Sequence, residues 1–132
     1  MKIQEITFGN LIKIKDEICR IIEIRESYVY GESATKILVS NIRTAKPIKI
    51  TNNILQKIKN KKQEEFILGD NIITYLSFPN KKKEIFTAEI NKNEVYISFQ
   101  NITNNLIKIK YLHELQNLYY CITKEELEID LP

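Results

Sequence analysis

"NLIKIKDEICRIIEI", residues 10–24, alternates polar and apolar side chains twice, on either side of Lys15-Asp16-Glu17. A period of two is the mark of a strand with one buried face. The stretch therefore predicts a hairpin, with strands near 10–15 and 18–25 and the break at "KDE". The neighbouring sequence extends the pattern. "SYVYGES" and "TKILVSNI" predict a second strand pair around Gly31–Ala34. "KPIKI" adds a short strand that Pro47 places at an edge, because proline cannot donate to a ladder. Several short strands in a row predict a small bent barrel of SH3-like or OB-like type over residues 1–50.

"TNNILQKIKN" changes period. Thr51 suits an N-cap, and Ile54, Leu55 and Ile58 share one helical face, so a short helix is predicted near 52–60. "KNKKQ" reads as a basic connector. Residues 65–110 return to strands: "EFILG", "NIITYLSF", "KEIFTAEI", "EVYISFQ" and "NLIKIK". Turn-forming clusters such as "GDN" and "NKNE" separate them, which predicts an antiparallel meander packed by Ile72, Tyr75, Phe86, Tyr96 and Phe99. Residues 111–123 read as a C-terminal helix, and the tail around Leu127–Leu131 as a last short strand. "LIKIK" occurs at 11–15 and 106–110, but the flanks differ and the match is read as coincidence. The expected class is α+β and mostly antiparallel β: a barrel-like part, a short middle helix, a meander and a C-terminal helix, all in one domain of 132 residues.

The totals exclude several functions. Lys and Arg number 20 against 17 Asp and Glu, a net +3, too little for a general nucleic-acid binder. No apolar run reaches the ~18–20 residues that cross a bilayer, and "MKIQEITFGN" has no apolar signal core, so a soluble cytoplasmic protein is expected. Cys19 and Cys121 lie far apart among apolar residues and read as small buried hydrophobes. One histidine and two separated cysteines make no standard zinc site, and three glycines make no phosphate-cradling loop. No nucleophile has a base near it in sequence, and the pairs Glu64–Glu65 and Glu125–Glu126 sit among polar residues. Neither a catalytic residue, a cofactor nor a metal is expected.

What remains suits binding. Tyr28 and Tyr30 fall on one face of a strand, where two rings pack a core or hold a base. Arg20, Arg25 and Arg43 lie in the same β region and can meet a phosphate in forked geometry. In the C-terminal helix, Leu112, Leu115, Tyr119 and Ile122 share one face, and His113, Gln116, Asn117 and Tyr120 the other. An uncharged polar face, in a chain that is 28% charged, has three explanations: packing on the same chain, a homo-oligomer interface, or a ligand pocket. The candidate ligand-binding residues are therefore His113, Gln116, Asn117, Tyr120, Tyr28, Tyr30, Arg20, Arg25 and Arg43.

The ending "YLHELQNLYYCITKEELEI" resembles that of a family of small proteins encoded by phages and integrated elements of Bacteroidetes. The likeness is carried by Tyr111, His113, Leu115, Gln116, Asn117, Leu118 and Thr123, with "GNLIKI…ICRIIEI" and "PIKITNNIL" in the first half. The chain departs at Asn52–Asn53, where the family more often has acidic residues, and at Lys124, where it tends to have glycine. The resemblance implies a phage accessory protein. With the binder's inventory, it leads to the expectation of an anti-defence protein in the host cytoplasm that sequesters a nucleotide-derived immune signal, of cyclic ADP-ribose or cyclic dinucleotide type. The alternative is a virion structural or accessory component.

Overall fold

The computed structural model describes residues 6–59, 61–78, 86–92, 94–99 and 107–130. The protein is mostly antiparallel β with two helices, as the alternation predicts. The chain forms two compact units, neither continuous in sequence. The first takes residues 1–49 and 111–118; the second takes 50–110 and 119–130.

In the first unit, β1 (Leu11–Ile14), β2 (Glu17–Arg25), β3 (Tyr28–Glu32), β4 (Ile37–Asn41) and β5 (Lys46–Pro47) form one sheet in the order β4-β3-β2-β1-β5. The β1–β2 hairpin turns on Lys15 and Asp16, both at positive φ (52° and 66°). That is the mirror-image two-residue turn whose twist matches right-twisted strands. The ladder slips between Ile21 and Glu23, a bulge that bends β2. The five strands make the small, bent, barrel-like part that the sequence predicts, with no ladder between β4 and β5 among the described residues. Pro47 lies on the edge strand, as its missing N–H requires. Ile12, Ile14, Cys19, Ile21, Val29, Ile42 and Ala45 form the core. Gly31 lets β3 approach it: a Cβ there would stand 2.6 Å from the Cys19 Cβ and 2.8 Å from the Ile14 Cδ1.

The second unit opens with α1 (Asn52–Leu55), capped by Thr51, whose Oγ1 accepts from the Ile54 N–H at 3.2 Å. The helix is shorter than the predicted 52–60. Ile58 leaves it to bridge Ile129, and backbone N–H groups of Lys59 and Asp130 bond across to Glu128 and Lys57. The predicted tail strand is that single bridge. A sheet follows: β6 (Lys62–Leu68), β7 (Asn71–Ser77), β8 (Phe86–Asn91), β9 (Glu94–Phe99) and β10 (Ile107–Ile109), in meander order. Leu76, Ala88, Ile90, Val95, Ile97 and Ile109 line its buried face.

Several packing expectations need correction. Ile72 is exposed, and Tyr75 and Tyr96 stand on the face opposite the core, bonded to Glu89 and Glu94. The side chains of Phe86 and Phe99 lie outside the described residues. Lys62 and Gln63, read as connector, belong to β6. Cys19 is buried but Cys121 is exposed, and both are free thiols.

Helix α2 (Leu112–Thr123) contributes Leu112–Leu118 to the first unit and Tyr119–Thr123 to the second. Glu114 in its first turn accepts from the Tyr111 N–H at 2.8 Å. Lys124 ends it in the left-handed conformation (φ 62°), donating its N–H to the Tyr120 carbonyl at 2.8 Å. Among the described residues no helix is long and apolar enough to cross a membrane.

Candidate binding face

The polar face of α2 is largely committed to its own chain. Gln116 Oε1 accepts the backbone N–H of Leu11 at 2.8 Å, and its Nε2 donates to the Gly9 carbonyl at 3.4 Å. Asn117 Oδ1 accepts from Asn10 Nδ2 at 2.8 Å and from the Thr7 hydroxyl at 3.1 Å. Asn10 Oδ1 in turn accepts the Thr7 N–H at 2.8 Å. Arg20 joins them, donating to the Gly9 carbonyl at 3.0 Å. These bonds clamp the loop that enters β1. A buried N–H left without its acceptor costs about 1–3 kcal/mol, which explains an amide where a Lys or Glu was expected. His113 is buried, its ring stacked on Tyr111 with centroids 5.8 Å apart. Packing on the same chain, the first of the three explanations, accounts for Gln116 and Asn117. Tyr120 is exposed and belongs to the second unit.

The outward face of the first sheet differs. Val29 and Gly31 point into the core, so Tyr28 and Tyr30 point out. The core role open to these rings in sequence is not the one they take: Tyr28 is 48% exposed and Tyr30 partly so. The register sets Arg25 opposite Tyr28 and Glu23 opposite Tyr30, with Asn41 and Val39 across from the same tyrosines on β4. The Arg25 guanidinium lies 5.9 Å from the centroid of Tyr30, within range of a cation–π contact. Its Nη2 also meets Glu23 Oε1 at 2.7 Å, a pair so exposed that it contributes little stability. Tyr28, Tyr30 and Arg25 are thus brought together. Arg20 is held at Gly9, and Arg43 stands in the turn after β4, its N–H on Asn41 Oδ1 at 2.9 Å.

Comparison with family models, curated proteins and solved structures finds no match to this chain. The chemistry must therefore be read from the face itself. Two phenol rings offer flat surfaces for stacking, and a forked cation lies beside them. Ile37 and Val39, exposed on β4, extend the face with apolar surface that sequence reading did not single out. Their i, i+2 spacing carried the signal, but Leu38 offers an apolar residue of the opposite parity.

Two titrating groups away from this face are shifted by their surroundings. Burial pushes the Cys19 thiol up, which keeps it protonated and unreactive. On the second sheet, the Tyr96 hydroxyl and the Lys108 ammonium hold Glu94 below the usual carboxylate range. Among the described residues no cluster of His, Cys, Asp and Glu could hold a metal ion.

Proposed function

We propose that this chain is a non-catalytic binding protein that takes a nucleotide-derived ligand on the outward face of its first sheet. By holding a signal of cyclic ADP-ribose or cyclic dinucleotide type, it withdraws that signal from the receptor that would sense it. In the setting implied by the resemblance, this is a phage protein that blunts host defence from the host cytoplasm. The observation that carries the reading is the exposed pair Tyr28 and Tyr30 with Arg25 beside it. Stacking of a base on an aromatic side chain contributes roughly 1–3 kcal/mol. Arg25 exchanges Glu23 for a phosphate in forked geometry. An open face binds less tightly than an enclosed site, so a second copy laid over the ligand would supply the enclosure that sequestration demands. The expected homo-oligomer enters there.

The test is thermal unfolding against a panel of cyclic dinucleotides, cyclic ADP-ribose species and ADP-ribose. A ligand at ~1,000 times its dissociation constant stabilises the native state by about 4 kcal/mol, which raises the midpoint by roughly 10 °C in a chain of this size. The shift should vanish in Tyr28→Ser/Tyr30→Ser, whose unliganded midpoint stays near that of the parent. A flat panel would sink the reading. It would favour the virion component instead, for which the exposed run Phe66-Ile67-Leu68 speaks as an assembly surface. Mass spectrometry of purified particles decides that alternative.

A further inference from the structure

β6 is the end strand of the second sheet, and among the described residues it pairs only with β7. An end strand ordinarily keeps one face covered. Here all seven residues, Lys62–Leu68, are exposed. Phe66, Ile67 and Leu68 are 50%, 75% and 62% exposed, and Ile72, opposite Ile67 on β7, is 58% exposed. Phe66 and Leu68 project to one side of the sheet and Ile67 to the other. A partner resting on one side would cover only half of this apolar surface. A strand added alongside β6 flanks both sides and satisfies the open row of backbone N–H and C=O groups.

Two of the three other sheet ends carry devices against such pairing; the third, β4, carries none but is shorter and lacks a run of three apolar residues with all side chains exposed. β5 is two residues long and contains Pro47, and β10 is three residues long with Lys108 at its centre. β6 contains no proline, its ladder with β7 runs without a bulge, and its one lysine stands at its start. Its charges also specify the partner. Glu64 and Glu65 precede the three apolar residues, so the added strand must set cations against the first two and apolar side chains against the rest. A second copy fits poorly. With β6 antiparallel to itself over its full length, Glu65 faces Glu65 and Lys62 faces Leu68, which opposes like charges at the centre.

We propose that β6 is a strand-addition site for an extended segment of another protein. The segment runs antiparallel to β6, with apolar residues opposite Leu68, Ile67 and Phe66 and with Lys or Arg opposite Glu65 and Glu64. The probe is the labelled peptide Val-Ile-Val-Lys-Arg-Thr-Glu, titrated by fluorescence anisotropy into the full chain. It should bind saturably, and the charge-reversed peptide Val-Ile-Val-Glu-Glu-Thr-Lys about tenfold more weakly. Glu64→Lys/Glu65→Lys should invert that order at an unchanged unfolding midpoint, because both positions are exposed. Absence of binding by either peptide, equal binding of both, or a preference the double substitution leaves in place would overturn the proposal. So would a dimer of the unliganded chain in sedimentation that Ile67→Lys dissociates, since the occupant would then be a second copy.

Discussion

Gly31 and Gly69 stand in different sheets and meet opposite surroundings. A Cβ on Gly31 would come within 2.6 Å of the Cys19 Cβ, whereas one on Gly69 would find nothing within 4 Å. Gly31 lacks a side chain because the interior of the first unit has no room for one. Gly69 serves its backbone: at φ 62° it closes the β6–β7 turn, where a side chain costs strain but no clash. The first unit is thus specified by close packing and by long-range hydrogen bonds. The β6–β7 end of the second is specified by turn conformation and leaves apolar side chains in water.

The largest effect that could break this comparison belongs to Gly31→Ala. Overpacking should cost about 3 kcal/mol, read as a fall in the urea midpoint at an unchanged slope. A cost below ~1 kcal/mol would mean the interior yields, and the contrast would fail. Next comes Gln116→Ala, which strips the acceptor from the Leu11 N–H and should destabilise by about 2 kcal/mol. Gln116→Glu keeps that acceptor but sets a carboxylate oxygen where the amide donates to the Gly9 carbonyl, so it should recover only part of the loss.

The second unit should answer with smaller changes. Lys124 ends α2 at φ 62°, so Lys124→Gly should stabilise by about 1 kcal/mol in the same denaturation experiment. Smallest of all is Ile67→Lys, which should move the midpoint by less than ~0.5 kcal/mol because the side chain is already in water. A loss of several kcal/mol there would show that β6 packs inward after all.

The 10–24 hairpin was legible because alternation fixes both its face and its turn, and Thr51 and Pro47 because a cap and a missing N–H are local facts. The outward aim of Tyr28 and Tyr30 was not legible. "YVYG" offers side chains of both parities to a core, and the parity is decided by Cys19 and Ile14 filling the space beside Gly31. The helix face was half legible. Its amides announced hydrogen bonding, but their partners lie more than a hundred residues away, and spacing along the chain cannot name them. The exposure of Phe66-Ile67-Leu68 contradicts the ordinary meaning of such a run, which is a core strand.

In the proposed function the ligand meets the tyrosine face of the first sheet, while the polar face of α2 bonds within its own chain. That reading is tested most directly by titrating one nucleotide from the panel into three proteins: the parent, Tyr30→Ala and Gln116→Glu. Tyr30→Ala should lose at least tenfold in affinity while remaining folded, as the removal of one stacked base implies, and a folded Gln116→Glu should bind like the parent. Undiminished binding by Tyr30→Ala, with binding lost in a folded Gln116→Glu, would contradict it and move the ligand to the helix.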